Sequence, residues 1–130
     1  MTTESSPEYV ERELQLADEA LDDAAFLLQG NRLKAAANRA YYAMFHAVQA
    51  VLASAGVRRP RTHSGAINLF SRYWVRTGKV DRVFAKDLQD AFDLRQTSDY
   101  DVYAVMGGEV VGETIDRAKA FVAEVKRLFA

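Results

Sequence analysis

The sequence predicts an all-α fold, an antiparallel up-and-down bundle of four to five helices. Apolar residues recur at helical spacing along nearly the whole chain, glycines divide this pattern into segments, and there are only two prolines. No alternating strand pattern, hairpin turn, internal repeat or linker interrupts it. A chain of 130 residues is of ordinary size for one domain. We therefore expect a single domain over residues 1–130, with residues 1–5 disordered.

Capping residues place the start of each of the first three helices. Ser5-Ser6-Pro7-Glu8 combines a Ser-x-x-Glu capping box with an early proline, and it predicts the start of the first helix. Gly30 is expected to end that helix in the left-handed conformation. Asn31 and Thr62 have the short polar side chains that cap helix N-termini, so they are expected to cap the second and third helices.

Glycines separate the later helices from one another. Gly56 is expected to end the second helix and Gly78 the third, and the Gly107-Gly108 pair precedes the fifth. A basic loop over 57–61 carries Pro60, and residues 98–108 are less regular. The predicted helices therefore cover, in order, about residues 7–28, 32–55, 62–76, 81–97 and 109–128. Short connections favour antiparallel neighbours, with the first two helices as one hairpin and the last two as another.

The second helix has an unusual face. Arg39, Tyr42 and His46 share one stripe among alanines, where a solvent-facing stripe would carry Lys and Glu. We expect another helix or a second subunit to cover it. His46 titrates near neutral pH, so it is a candidate for proton transfer, and the alternative is an ordinary core or interface histidine. For Arg39, the alternative to phosphate binding is a buried ion pair with Asp99 or Asp93.

Arg95 presents a second anomaly, on the fourth helix. At 100° per residue it points in the same direction as the apolar residues of that helix, Phe84, Leu88, Ala91 and Phe92. An arginine stays charged at accessible pH, so a buried one must be paired and hydrogen-bonded. Asp99 lies one turn further on, and Tyr100 follows it. This group is therefore either a structural clamp or part of a site.

The charges are distributed unevenly, although the net charge is only −1. Residues 1–29 contain eight acidic residues against one basic residue, and residues 57–82 contain seven basic residues against one acidic residue. This asymmetry predicts either a basic region that attracts an anion or a basic segment neutralised by the acidic helix. The start of the third helix is a candidate anion site or an ordinary cap, and its candidate ligands are Arg58, Arg59, Arg61, Thr62, His63 and Ser64.

Several classes of protein are not predicted. The absence of cysteine excludes a disulfide scaffold and thiolate zinc sites. Neither histidine has a Glu three residues before it, as a di-iron bundle requires, and no phosphate-loop, dinucleotide or nucleophile-elbow motif occurs. We therefore expect no metal and no cofactor. No apolar run approaches ~18 residues and the N-terminus has no apolar signal core, so a cytoplasmic protein without a membrane partner is expected.

Three strings together resemble the HEPN family, the helical nucleotide-binding domains of prokaryotes and higher eukaryotes. They are Arg39-Ala-Tyr-Tyr-Ala-Met-Phe-His46, Thr62-His63-Ser64-Gly65 and Arg95-x-x-x-Asp99-Tyr100. The resemblance covers residues from about 5 to 128 and is nearest to the small stand-alone bacterial and archaeal members. It implies a homodimeric four- or five-helix bundle, often encoded beside a minimal nucleotidyltransferase. Many members are metal-independent endoribonucleases or toxins.

The family signature is present only in part. In such ribonucleases an arginine positions phosphate, and a histidine after four to six intervening residues acts in cleavage with the RNA 2′-hydroxyl as nucleophile. Arg39 and His46 have this spacing, but the family places its pair late in the bundle, where this chain has Arg95. The three positions at which the late histidine is expected hold Tyr100, Asp101 and Val102. Late-site catalysis would therefore require His46 or His63 to reach Arg95.

Three functions remain open from the sequence. In the first, the protein is the HEPN half of a toxin–antitoxin pair and cleaves RNA without metal. The catalytic residues would then be Arg39, His46 and Arg95, with Asp99 beside them. Tyr42 and Tyr100 would stack on bases. In the second, it is a non-catalytic nucleotide-binding or adaptor dimer that works with a nucleotidyltransferase, and Tyr100 or Tyr103 is a modification acceptor. In the third, Arg39, Arg95 and Asp99 form a structural network.

Overall fold

The computed structural model describes residues 6–130. The expected disorder of residues 1–5, and the Ser5 end of the predicted capping box, lie outside the described residues. Within 6–130 the chain contains helices and no strand, so the predicted all-α bundle is confirmed. The elements in order are α1 (Pro7–Gln29), α2 (Leu33–Ser54), α3 (His63–Phe70), a π-helical turn (Ser71–Val75), α4 (Arg82–Tyr100) and α5 (Gly108–Arg127).

The junction between α1 and α2 differs from its prediction. Ser6 caps α1, since its side chain accepts a hydrogen bond from the Tyr9 amide. Gly30 has a φ of −83°, whereas Asn31 has a φ of +58°. Asn31 is therefore the left-handed residue that ends α1, a conformation that Asn tolerates better than most residues. Consequently Asn31 does not cap α2, and the capping position is held by Arg32 without a side-chain hydrogen bond.

The third and fourth helices begin as predicted and end differently. Thr62 caps α3, because its Oγ1 accepts from the Gly65 amide at 3.0 Å. The predicted continuous helix to residue 76 is instead α3 followed by the π-helical turn, which helical periodicity alone does not distinguish from α-helix. α4 extends to Tyr100 rather than to residue 97, and the Arg95–Asp99 ion pair at i,i+4 stabilises its last turn.

α2 is the central element of the bundle. It packs against α1, α3, α4 and α5, and α4 also packs against α5, as the two predicted hairpins require. Fourteen of its 22 residues are buried, and many of these are alanines. α1 likewise buries alanines, Ala17, Ala20 and Ala24. Small side chains on both helices let their backbones approach closely, so the face of α2 that carries His46 is covered by α1.

The core surrounds the length of α2. Its largest fully buried side chains include Tyr41, Phe70 and Phe121 from three different helices. Leu88 and Ala91 of α4 are buried as predicted, and Phe84 and Phe92 pack against the core from the same helix. Among the described residues, no helix is long and apolar enough to cross a membrane.

Candidate anion-binding site

Tyr42 of α2 lies between the two arginines singled out by the sequence. The guanidinium carbon of Arg39 is 4.9 Å from the centroid of the Tyr42 ring, and that of Arg95 is 5.4 Å from it. Arg95 also donates a hydrogen bond from Nη2 to the Tyr42 hydroxyl at 3.2 Å. Arg39 and Arg95, which belong to α2 and α4, therefore converge on one aromatic ring instead of lying on separate outer surfaces.

Arg95 is paired with Asp99, as its helical spacing predicts. The Asp99 Oδ2 atom is 2.8 Å from Nε of Arg95, and the two side chains are 16% and 32% exposed. The carboxylate is nevertheless out of line with the N–H bond, since the buried Nε has no hydrogen-bond acceptor among the described residues. We therefore treat the contact as a charge pair rather than as a directed hydrogen bond. Asp99 and the Tyr42 hydroxyl together hold Arg95 in position.

Arg39 has a different partner from the one expected. Its Nε and Nη2 both donate to Oδ1 of the neighbouring Asn38, at 3.1 and 3.0 Å. The predicted ion pair with Asp99 or Asp93 is wrong, because Asp99 is bound to Arg95 and Asp93 accepts a hydrogen bond from Gln89. In residues 6–130, no carboxylate lies within ion-pair distance of Arg39. Its positive charge is therefore not neutralised by a bound acid.

His46 is held by an acid that the sequence reading missed. Its Nδ1 lies 2.8 Å from Oε2 of Glu13, whose side chain is only 8% exposed. Glu13 lies on α1 at helical spacing from the buried Ala17, Ala20 and Ala24. This spacing places Glu13 on the buried face of α1 and could have identified it as a buried acid. A carboxylate bound to Nδ1 fixes the orientation of the ring and leaves Nε2 for a ligand. The His46 and Tyr42 ring centroids are 6.4 Å apart.

An open cleft of about 400 Å³ lies between α1 and α2 beside this pair. Arg39 and His46 contribute to its wall, and the rest of the lining is Leu16, Glu19, Ala20, Asp22 and Asp23. Three carboxylates outnumber the two bases, so the cleft repels a polyanion. An approaching phosphate would reach Arg39 more favourably from the side of Tyr42 and Arg95.

His63 is partly buried, and its ring packs against aromatic side chains of α2. Its ring stacks on Phe45, with a centroid distance of 4.2 Å and an interplanar angle of 14°, and its Nδ1 lies 2.6 Å from the hydroxyl of the buried Tyr41. Its ring is also perpendicular to that of Tyr42, at 5.7 Å. Burial lowers the pKa of His63 below its usual 6.5, and the positive charges of Arg95 and Arg59 lower it further.

Tyr41 remains a neutral phenol in this environment. Burial raises its pKa well above the usual value of 10.0, and the neighbouring Tyr42 acts in the same direction. Its hydroxyl therefore carries a proton at every pH at which the protein would be studied. The pairing of Tyr41 with His63 was not predicted from the sequence.

The other candidate residues lie outside this group. Thr62 uses its hydroxyl to cap α3, and a Cβ at Gly65 would come within 2.9 Å of that oxygen, which explains the glycine in the Thr-His-Ser-Gly string. Tyr100 is 75% exposed and makes no ring contact with Tyr42 among the described residues. The exposed side chains near the start of α3 are Arg58, Arg59, Arg61 and Ser64.

The structure thus brings six of the predicted residues into one neighbourhood. We call Arg39, Tyr42, His46, His63 and Arg95, with Asp99 bound to Arg95, the Tyr42 cluster. Its chemistry is that of cationic donors and imidazole rings around an aromatic ring. Among residues 6–130 no group of three or more His, Cys, Asp or Glu side chains is arranged to hold a metal ion.

The model of one domain family, described as the HEPN domain, matches residues 10–128 of this chain. The chain belongs to the HEPN domain family. The match runs from α1 to the end of α5, so the whole Tyr42 cluster lies inside the HEPN domain.

Several proteins are similar to this HEPN chain. A UPF0332 protein of Thermotoga maritima is 38% identical over 112 residues, which is 86% of this chain and 84% of that protein. A UPF0332 protein of Pyrococcus horikoshii is 43% identical over 63% of this chain and 57% of its own length. A Methanocaldococcus jannaschii protein named "Putative toxin MJ0605" is 30% identical over 72% of this chain and 69% of its own length.

Proposed function

We propose that this HEPN protein binds the phosphate of RNA or a nucleotide at the Tyr42 cluster. The observation that supports this most directly is the charge balance around Tyr42. Two guanidiniums lie against its ring, and the carboxylate of Asp99 is bound to that of Arg95. Since Arg39 has only the neutral Asn38 as a hydrogen-bond partner, no ion pair neutralises its guanidinium. A phosphate would neutralise it through charge-assisted hydrogen bonds.

The arginines are held in place before a ligand arrives. Arg95 is restrained by Asp99 and by the Tyr42 hydroxyl, and Arg39 is restrained by Asn38 and the Tyr42 ring. Both side chains are partly buried, where electrostatic attraction is screened less than in bulk water. Less conformational entropy is then lost on binding. The exposed arginines of the 57–61 loop would add long-range attraction that weakens with salt.

We further propose that the protein is one half of a toxin–antitoxin pair and that a minimal nucleotidyltransferase is its partner. The support is the HEPN family membership together with the relatives that carry a toxin name. A homodimer is part of this proposal. The large exposed apolar side chains of Val102, Tyr103 and Val105, next to α4, are 80–96% exposed, which is typical of a surface that another chain covers.

Phosphate binding is tested by fluorescence anisotropy with a labelled single-stranded RNA oligonucleotide. Arg39→Ala should weaken binding by about tenfold or more, because a hydrogen bond to a charged group contributes about 1.5–3 kcal/mol. Arg39 forms no ion pair within the described chain, so its removal should leave folding intact. Arg76→Ala, which removes an equal charge from an exposed position, is the matched control. Equal losses in the two variants would show that the charge of the whole molecule, and not the cluster, binds RNA.

A metal-independent endoribonuclease is the second candidate function, and the arrangement of the two histidines favours it. The rings of His46 and His63 both lie near that of Tyr42, with centroid distances of 6.4 and 5.7 Å, and each has its Nδ1 atom held by a partner. In such a reaction a base removes the proton of the 2′-hydroxyl. The 2′-oxygen then attacks the adjacent phosphorus, and the 5′-oxygen leaves as it gains a proton. The product is a 2′,3′-cyclic phosphate. In neutral His46, Nδ1–H would donate to the Glu13 carboxylate, and the unprotonated Nε2 would act as the base.

This activity is tested by incubating RNA with the protein in excess EDTA. Cleavage should be abolished by His46→Ala and by Arg95→Ala. Cleavage that persists in both variants would show that His46 and Arg95 do not catalyse it. If the wild-type protein binds RNA but leaves it intact, phosphate binding alone would be the function.

A further inference from the structure

We propose that Tyr41 holds His63 as a neutral imidazole with its proton on Nε2, and that His63 serves the bound phosphate as a hydrogen-bond donor and not as a proton-transfer group. This proposal rests on phosphate binding at the Tyr42 cluster. It assigns the two histidines of the cluster different roles. It also makes Tyr41, which touches no ligand, a positioning residue.

The direction of the Tyr41–His63 hydrogen bond follows from the burial of the phenol. Tyr41 is 0% exposed, and the 2.6 Å contact with Nδ1 of His63 is its only hydrogen bond among the described residues. The Tyr41 hydroxyl has one proton to donate. If Nδ1 of His63 carried a hydrogen, this proton would have no acceptor. A buried donor without an acceptor is costly. Tyr41 therefore donates, Nδ1 accepts, and the proton of a neutral His63 ring must be on Nε2.

The surroundings of His63 also disfavour a second proton on its ring. Tyr41, Tyr42 and Phe45 face it from α2, and Phe92 faces it from α4. The charged groups that act on it are Arg95 and Arg59, and both are cations. None of the described contacts of His63 is with a carboxylate. An imidazolium here would lose solvation, lie near two positive charges and displace the Tyr41 proton.

His46 has the opposite arrangement. Its Nδ1 atom lies against the Glu13 carboxylate, which only accepts hydrogen bonds, so Nδ1 must carry the hydrogen. The two histidines therefore carry their neutral-state protons on different nitrogens. Nε2 of His63 has no hydrogen-bond partner among residues 6–130, so its N–H is available to a phosphate oxygen. A neutral imidazole can act in this way as an electrophile without gaining charge.

Nitrogen-15 NMR of the histidine rings tests the protonation pattern directly. The chain has only two histidines, so a His46→Gln sample assigns the spectrum. At pH 7.5 we expect Nε2–H with an unprotonated Nδ1 for His63, and the reverse for neutral His46. In Tyr41→Phe, which removes only the hydroxyl, His63 should show both tautomers and should titrate at higher pH than in the wild type. Tyr73→Phe, at an exposed position, is the control and should change neither property. A wild-type His63 ring protonated on Nδ1 would overturn the proposal.

RNA binding tests the donor role separately. A glutamine side chain can donate a hydrogen bond but cannot exchange a proton near neutral pH. His63→Gln should therefore bind the RNA oligonucleotide within about threefold of the wild type, whereas His63→Ala should bind about tenfold more weakly. Equal losses in the two variants would overturn the donor role. Wild-type protein that binds no RNA would refute the function itself, and the NMR spectra would still decide the Tyr41–His63 arrangement.

Discussion

Glu13→Ala removes a carboxylate that is almost completely buried against His46. The two side chains are 8% and 23% exposed, and their contact of 2.8 Å joins α1 to α2. Without Glu13, a proton on Nδ1 of His46 has no acceptor in this part of the helix interface. A buried donor that loses its acceptor costs about 1–3 kcal/mol, and more when one of the two groups is charged. We expect about 3 kcal/mol, because the acceptor that is removed is a charged carboxylate.

Thermal unfolding converts this cost into a measurable shift. Proteins gain about 2.1 cal/mol/K of unfolding entropy per residue near 60 °C, so a chain of 130 residues gains about 0.27 kcal/mol/K. A loss of ~3 kcal/mol then lowers Tm by roughly 11 °C. Far-ultraviolet circular dichroism and the fluorescence of Trp74, the only tryptophan, should report the same transition.

Two further variants make the Glu13 experiment decisive. Glu13→Gln keeps an oxygen that can accept from Nδ1–H, so it should lose clearly less stability than Glu13→Ala. Glu11→Ala removes an exposed acid from the same helix and should change stability by less than about 0.5 kcal/mol. If Glu13→Ala unfolded within ~2 °C of the wild type, the Glu13–His46 contact would not be the stabilising pair inferred from its burial.

Two other predictions concern the start of α3. Gly65→Ala should disrupt the Thr62 cap, since the new Cβ would lie 2.9 Å from Oγ1 of Thr62. The urea midpoint should fall by an amount equivalent to about 1 kcal/mol. Gly108→Ala is the control and should leave the midpoint unchanged, because a Cβ there meets nothing within 4 Å. Stability should fall as the pH drops below 6.5, because the unfolded chain binds a proton that folded His63, with its lowered pKa, does not. In His63→Gln this part of the pH profile should flatten, and an unchanged profile would contradict the assignment.

Helical periodicity predicted the architecture because five helices share one core. The same reasoning singled out Arg39 and Arg95, since each interrupts an apolar face of its helix, but it left open whether the two arginines converge. What periodicity could not supply was the partner of each side chain. Asn38, the sequence neighbour of Arg39, binds it in place of a distant acid, and only side-chain geometry decides this.

The residues that sequence reasoning missed act across helix boundaries. Glu13 appeared as one of eight acids on a charged helix, although its spacing from Ala17 placed it on the buried face. The ring of Tyr41 is buried in the core, and its hydroxyl contacts His63, which lies 22 residues away in the sequence. The end of α1 at Asn31 depended on a positive φ that glycine was expected to adopt. Each of these outcomes depends on tertiary contacts or backbone angles rather than on local pattern.

The alanines buried on α1 and α2 have a consequence for the chemistry of His46. Alanine, the smallest side chain with a Cβ, is frequent among the buried residues of both helices and allows helices to pack closely. A bulkier residue at Ala17 would move α1 outwards at a cost of about 1–3 kcal/mol, and Glu13, one turn away, would move with it. The distance between the carboxylate and the imidazole would lengthen even in a molecule that still folds. The size of the side chain at Ala17 therefore affects the distance between the Glu13 carboxylate and the His46 imidazole.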